Sequence, residues 1–321
     1  MGGGRALAAD LPERPRLRGL GSRAGRAAAS LARLPPACKN SRMAGYRLGL
    51  YEKSMPWPLG LAEKLRATGA AGFDFLELSI DETPEKLARL GADAATRRAW
   101  VEAMFDTGVR VETMCLSGHR RFPIGSADAE VARRGMEIMA DAVGLSADLG
   151  IRVIQLAGYD VYYSESTDDT RRRFADNLLR CVELAAARGV VLAFETMETE
   201  FMNTVEKAMR HVRRVDSPWL QLYPDVGNIT NATHAAGTSP LDDLRTGRGR
   251  IAAVHLKETV PGKFREIPFG TGHVDFEGCI REALAMGVRL FVAELWAPAD
   301  GDWRGPIERA SAFLRQKFPA S

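Results

Sequence analysis

The 321-residue sequence lacks the features that mark several large protein classes. No apolar run approaches the roughly 18 residues that a membrane-spanning helix requires. The four cysteines are widely scattered and show no CxxC spacing, so we expect reduced core residues in a cytoplasmic protein. The first strand-like run is not followed by a GxGxxG motif, which argues against a dinucleotide-binding open sheet. A composition of 45% hydrophobic and 26% charged residues instead predicts a globular protein with a large core.

An excess of positive charge is confined to the first 42 residues. They contain nine Lys and Arg side chains and two acidic ones, whereas the rest of the chain carries 35 basic and 39 acidic side chains. This mildly acidic remainder gives no support for nucleic-acid binding. Residues 1–42 are also rich in Gly, Ala and Pro, so we predict a disordered basic extension followed by one domain over residues 43–321. We interpret the extension as sequence upstream of a natural start at Met43, in preference to an organelle transit peptide.

From Tyr46 onward, short apolar runs alternate with longer segments of helical periodicity such as Asp128–Leu149 and Thr170–Arg188. The eight apolar runs that we predict to be β-strands are Tyr46–Leu50, Phe73–Ser79, Val109–Leu116, Ile151–Ala157, Val190–Glu195, Trp219–Asp225, Ile251–Leu256 and Leu290–Leu295. Eight strand–helix units in about 275 residues match a (β/α)8 TIM barrel, which typically has about 250 residues. We therefore predict an α/β fold with this single-domain architecture rather than an open doubly wound sheet.

The last four predicted strands each end in a side chain that can bind a metal ion. These side chains are Glu195, Asp225, His255 and Glu294, spaced by about one strand–helix unit. Because the carboxyl ends of barrel strands meet at one rim, the four should converge. Three carboxylates and one imidazole at one point would be strongly repulsive without a cation, so the set predicts a divalent metal ion. The oxygen-rich donors suit Mn²⁺ or Mg²⁺, with Zn²⁺ and Co²⁺ as alternatives.

Six further segments carry a more specific pattern: Gly49–Lys53, Ser79–Thr83, Met114–Pro123, Ile151–Tyr163, Leu222–Asn228 and Phe269–Gly272. Together they resemble the bacterial L-ribulose-5-phosphate (L-xylulose-5-phosphate) 3-epimerases of L-ascorbate and L-xylulose catabolism, within the xylose-isomerase-like barrel superfamily. The resemblance runs from about Tyr46 to the C-terminus. It implies that the four strand-end residues are the metal ligands and that Glu195 and Glu294 are the proton-transfer pair. Barrels of this superfamily often dimerise, so a homodimer is the implied assembly, although no sequence feature points to one.

The chemistry of such a reaction is consistent with these residue types. Inverting C3 of a 2-ketose requires removal of a proton next to a carbonyl, and a metal ion stabilises the resulting enediolate. Glu195 and Glu294, on opposite faces of that planar intermediate, can remove and deliver the proton. Related free-ketose epimerases have a histidine where this chain has Asn228, which favours a phosphorylated sugar. The alternatives are a hexulose-6-phosphate or free-ketose 3-epimerase, or a ketose/aldose isomerase; a repair endonuclease is disfavoured by the acidic remainder.

A sugar phosphate also requires cationic groups near the rim. The predicted loop after strand three supplies His119 and Arg120, and the loop after strand seven supplies Lys263 and Arg265, followed by a glycine-containing turn at 270–272 whose amides are suited to an anion. For any one of the four taken alone, a solvated surface charge is the preferred interpretation, and phosphate binding is the alternative. Lys257 should lie on the same face of its strand as the metal-binding histidine, where it would hold a substrate oxygen or pair with a carboxylate.

Overall fold

The structure is a computed structural model that describes residues 45–298 and 301–319. The predicted disordered extension and the predicted start at Met43 lie outside these residues. The chain forms eight β-strands: β1 Arg47–Tyr51, β2 Phe75–Ile80, β3 Arg110–Leu116, β4 Val153–Ala157, β5 Val191–Glu195, β6 Leu220–Tyr223, β7 Val254–Leu256 and β8 Leu290–Ala293. Each of the eight predicted apolar runs overlaps one of these strands, and β1 and β2 each extend one residue beyond the predicted end.

Within the described ranges the strands are connected through ten α-helices. These are α1 Leu61–Ala70, α2 Pro84–Ala88, α3 Ala94–Thr107, α4 Ala129–Leu149, α5 Asp168–Ala187, α6 Val205–Val215, α7 Val226–Ala235, α8 Pro240–Arg245, α9 Phe276–Ala285 and α10 Arg304–Arg315. The longest, α4, begins where the Asp128 carboxylate accepts hydrogen bonds from two backbone amides, and it ends at Gly150, whose φ of 74° suits a glycine. Both signals are legible in the sequence, and the helix predicted there is present. No helix of the described chain has the length and apolar character to cross a membrane.

The eight strands form one parallel sheet in the order β6-β5-β4-β3-β2-β1-β8-β7. Strands β6 and β7 then approach each other through isolated bridges, including one between Asp225 and His255, which brings the barrel close to closure. The predicted seventh strand, Ile251–Leu256, is regular only over its last three residues. Pro224 has no amide hydrogen to donate, and this interrupts the ladder between β6 and β7. The predicted (β/α)8 TIM barrel is confirmed.

One buried layer of the barrel interior takes a residue from each strand or its immediate flank: Tyr51, Phe75, Cys115, Val153, Ala193, Tyr223, Ala253 and Val292. Side chains two residues apart on a strand share a face, so the next inward layer lies two positions further along the chain. In the last four strands that layer consists of Glu195, Asp225, His255 and Glu294. The fold therefore turns these four side chains toward the barrel axis, directly above an apolar floor. A larger apolar cluster packs the helices against the outside of the sheet.

Candidate metal centre

The four strand-end residues form one compact buried cluster. Each offers one atom that can bind a metal ion, and these four atoms lie within 4.8 Å of one another. The four side chains are between 0 and 8% exposed. Burying three carboxylates together is very unfavourable unless a cation or protons compensate their charge. The sequence prediction that these side chains converge agrees with the structure.

Two oxygens in the cluster have no hydrogen-bond partner. Asp225 uses Oδ1 to accept a hydrogen bond from the Asn228 amide at 2.7 Å, capping α7, while its Oδ2 makes no hydrogen bond. Glu294 Oε2 likewise makes none. Both oxygens face His255 Nδ1, at 4.0 Å and 3.4 Å respectively. Buried carboxylate oxygens that make no hydrogen bond and face an imidazole nitrogen fit a divalent cation, and both also lie within 3.2 Å of the Lys257 ammonium. This donor set suits Mn²⁺, Mg²⁺, Zn²⁺ or Co²⁺.

His255 faces carboxylates with both ring nitrogens. Nδ1 lies 3.3 Å from Glu195 Oε1, within the ligand cluster, whereas Nε2 lies 2.6 Å from Oε1 of Glu77. Glu77 in β2 was not anticipated from the sequence. The signal that would have found it is an acidic residue within the apolar run Phe75-Leu-Glu-Leu78, because a carboxylate inside a buried strand needs a partner. Gln155, a polar residue buried within β4, was also not anticipated from the sequence. Its side-chain amide donates a hydrogen bond to Glu195 Oε2.

Lys257 lies in the same cluster. Its ammonium is 3.1 Å from Asp225 Oδ2 and 3.2 Å from Glu294 Oε2. The charges of Lys257 and His255 hold the pKa of Glu294 well below its usual range despite its burial. Burial raises the pKa of Glu195, and repulsion from Glu294 adds to that effect. The Lys257 ammonium therefore offsets part of the negative charge that the buried carboxylates bring together.

A small polar cavity opens above the cluster. Its walls include Glu195 and Glu294 and four cationic side chains, namely Lys53, Arg120, Lys257 and Arg265. Arg120 stacks over Tyr162, with 4.7 Å between its guanidinium carbon and the ring centroid, and its Nε has no hydrogen-bond partner. The buried hydroxyl of Ser117 also lines the cavity without a partner. Unsatisfied donors beside cationic groups are suited to a polyanionic ligand.

A second cavity, of about 710 Å³, adjoins the first. The two cavities share Lys257, Glu294 and Trp296. Trp296 also packs edge-on against Tyr51, with ring centroids 6.3 Å apart. The indole and the phenol therefore form an aromatic wall beside the two glutamates.

The other predicted substrate-binding residues lie elsewhere. His119 is buried, and its Nε2 is 3.0 Å from the Gly135 carbonyl oxygen in α4; burial lowers its pKa to about 4. Lys263 is exposed, and its backbone pairs with Val260. Neither side chain lines the small cavity. At the predicted anion-binding turn, the Gly270 amide donates to Glu258 Oε2 at 2.8 Å, so an internal carboxylate already uses that donor.

Sequence comparison gives two results. The pattern of the family described as xylose isomerase-like TIM barrel matches residues 65–317. The chain is 44% identical over 272 residues to the L-ribulose-5-phosphate 3-epimerase UlaE of Escherichia coli strain SE11, a match that covers 84% of this chain and 94% of that protein. The protein of the same description from Shigella flexneri gives the same identity and coverage.

Solved structures with low sequence identity share the fold. A structure of L-ribulose 3-epimerase superposes with a TM-score of 0.68 at 22% identity, covering 85% of this chain and 94% of that one. The 3-keto-D-glucoside 4-epimerase YcjR from E. coli superposes with a TM-score of 0.69 at 20% identity, covering 84% and 99%. At these identities the comparison supports the barrel architecture.

Proposed function

Since the chain belongs to the xylose isomerase-like TIM-barrel family and, within it, to the L-ribulose-5-phosphate 3-epimerases, we propose that it is an isomerase that interconverts L-ribulose 5-phosphate and L-xylulose 5-phosphate. The observation that carries the proposal is the position of Glu195 and Glu294, which belong to the buried ligand cluster and also line the cavity above it. When a carbon is inverted by removing a proton from one face and delivering one to the other, two groups that reach the same substrate atom can share the work.

The four clustered side chains, Glu195, Asp225, His255 and Glu294, would hold one divalent metal ion, with Mn²⁺ or Mg²⁺ preferred and Zn²⁺ or Co²⁺ as alternatives. When bound, the metal supplies stabilisation of the negative charge that develops on substrate oxygens after the proton leaves C3. In this proposal Asp225 only binds the metal and moves no proton, since its Oδ1 accepts a hydrogen bond from the first turn of α7.

The proton transfer belongs to the two glutamates. One carboxylate removes the C3 proton, and the other delivers a proton to the opposite face of the planar intermediate, with the order set by the direction of reaction. Gln155 restrains the carboxylate of Glu195 through a hydrogen bond to Oε2. Lys257, 3.2 Å from Glu294 Oε2, is placed to exchange this ion pair for a substrate oxygen when the substrate enters.

The phosphate group would be recognised at the wall of the small cavity. Arg120 and Arg265 contribute guanidinium groups, and Lys53 and Ser117 contribute an ammonium and an unpartnered hydroxyl. Arginine donors match phosphate oxygens in pairs, which favours a phosphorylated ketose over a free one. Lys263 is proposed to assist from the exposed part of the same loop as Arg265. His119 lies in the same loop as Arg120 and is hydrogen-bonded to α4, and we propose that it also contributes to substrate binding.

We also propose a cytoplasmic location, in keeping with the buried free thiols of Cys115, Cys181 and Cys279. A homodimer and a place in L-ascorbate degradation are proposed from the family alone.

The proposed reaction is tested by adding each of the four divalent metals to EDTA-treated protein and following ketose phosphates by ¹³C NMR. We expect L-ribulose 5-phosphate to convert to L-xylulose 5-phosphate with at least one metal, and free L-ribulose and hexulose 6-phosphates to react more slowly. Formation of an aldose 5-phosphate would instead indicate a ketose/aldose isomerase. Faster reaction of a free ketose or a hexulose 6-phosphate would overturn the substrate assignment.

A further inference from the structure

We propose that Glu77 is a positioning residue that holds His255 with Nδ1 toward the metal and thereby sets the metal affinity of the centre. The proposal rests on the metal-binding role given to His255 above. Glu77 itself contributes no ligand atom to the cluster of four. It acts from the opposite side of the imidazole ring.

The orientation of the ring follows from its two neighbours. Nε2 lies 2.6 Å from Glu77 Oε1, while Nδ1 lies 3.3 Å from Glu195 Oε1 and 3.4 Å from Glu294 Oε2. A carboxylate that accepts the Nε2 hydrogen leaves the lone pair on Nδ1, which is the form that binds a metal ion. Rotation of the ring by 180° would break the short contact with Glu77 and aim a carbon atom at the cluster.

The carboxylate of Glu77 is itself rigidly held. Its Oε2 accepts hydrogen bonds from Thr113 Oγ1 at 2.8 Å and from the Tyr223 hydroxyl at 2.7 Å. The Tyr223 ring also packs edge-on against the imidazole, with centroids 4.9 Å apart. Strands β2, β3 and β6 thus combine to fix one side chain of β7. This arrangement leaves His255 a single orientation.

The placement of Glu77 is costly for the fold, which argues for a role beyond packing. The side chains of Glu77 and His255 are both 0% exposed. Within residues 45–298 and 301–319, its charged partner is His255, whereas the rim cations Lys53, Lys257 and Arg265 pair with other carboxylates. A buried carboxylate is seldom the most stable choice where an apolar residue of similar size fits. Carboxylates that orient metal-binding histidines typically change metal affinity by about 10- to 100-fold when they are removed.

The test compares metal affinity across matched variants. Mn²⁺ and Zn²⁺ dissociation constants are measured by competition with a chromophoric chelator for the unaltered protein and for Glu77→Gln, Thr113→Val and Tyr223→Phe. We expect Glu77→Gln to weaken metal binding about 10- to 100-fold, and the two outer variants to weaken it by a smaller factor. Urea unfolding in EDTA provides a measure of stability that is independent of metal.

A second measurement reads the tautomer directly. In the Zn²⁺-loaded, ¹⁵N-labelled protein, long-range ¹H–¹⁵N correlation of His255 should show Nε2 carrying hydrogen and Nδ1 bound to metal. Metal bound to Nε2 would overturn the proposal, and because this spectrum uses the unaltered protein, it decides the matter even if Glu77→Gln fails to fold. An affinity of Glu77→Gln within twofold of the parent would also overturn it. Absence of metal binding by the unaltered protein would instead contradict the metal centre itself.

Discussion

Lys257 places its ammonium 3.2 Å from Oε2 of Glu294, inside the group of side chains that would hold the metal. The same ammonium is 3.1 Å from Asp225 Oδ2. The permanent positive charge of Lys257 therefore lies beside the proposed binding site of a metal ion that can be removed. This relationship makes the stability of the metal-free protein dependent on Lys257.

The first prediction concerns this lysine. Lys257→Met leaves two buried carboxylates without their cation, so we expect a loss of about 3–5 kcal/mol in the metal-free protein. Saturating Mn²⁺ should restore most of the loss, because the metal replaces the missing positive charge. Urea unfolding in EDTA and in Mn²⁺ measures both effects. Lys53→Met is the control: its partly exposed ion pair with Asp81 predicts a smaller loss with no dependence on metal. An equal loss of stability with and without Mn²⁺ would contradict the account.

The second prediction concerns the proton-transfer pair. Glu195→Gln and Glu294→Gln should each lower kcat by a factor of at least about 100, because general acid–base groups contribute about 10²–10⁴ to the rate. Circular dichroism and metal content, measured beside the kinetics, separate loss of catalysis from loss of the fold or of the metal. A variant that keeps both metal and turnover would remove that glutamate from the pair.

The third prediction concerns phosphate recognition. Arg120→Met should raise KM for the ketose 5-phosphate about 10- to 100-fold, since a charge-assisted hydrogen bond contributes about 1.5–3 kcal/mol. The rate with the unphosphorylated ketose should change little. Arg121→Met is a matched control, because Arg121 is exposed on the same loop and does not line the cavity. If the Arg120 variant loses activity equally with the phosphorylated and the unphosphorylated ketose, Arg120 stabilises the loop and does not bind the phosphate.

The fourth prediction concerns His119 and pH. Burial lowers its pKa to about 4, from about 6.5 in an unfolded chain. The unfolded state therefore binds more protons between these values, and the stabilising effect of the neutral imidazole is complete above pH 6.5 and is lost as pH falls. We expect His119 to account for roughly 2–3 kcal/mol of the stability lost between pH 7 and 4.5. Urea unfolding of the parent and of His119→Gln in EDTA measures this, and identical pH slopes would refute it.

The sequence was sufficient to predict the barrel and the convergence of the four strand-end side chains, because both follow from simple periodicities. Apolar runs alternate with amphipathic segments, and a polar side chain two positions beyond a buried strand residue faces the same interior. Thus Ala193 predicts the direction of Glu195, and Val292 that of Glu294. These relationships involve residues that are close in the sequence, so they can be predicted without the rest of the fold.

Relationships between distant strands were not accessible in the same way. Glu77 contacts His255 although 178 positions separate them in the sequence, and the local pattern of neither strand indicates this pairing. The direction of His119 depends on how its short loop packs against α4, and the turn at Gly270 is occupied by Glu258 from the preceding strand end. In each case a tertiary contact, rather than the local pattern, decides which groups remain available to a ligand.

The central claim, metal-dependent inversion at C3, is tested most directly by isotope exchange. The metal-loaded protein is incubated with L-ribulose 5-phosphate in D₂O, and the product is examined by ¹H and ¹³C NMR, with EDTA-treated protein as the control. The account predicts one deuterium at C3 of L-xylulose 5-phosphate, and none without metal. Deuterium at C1, or no incorporation with any of the four divalent metals, would contradict it.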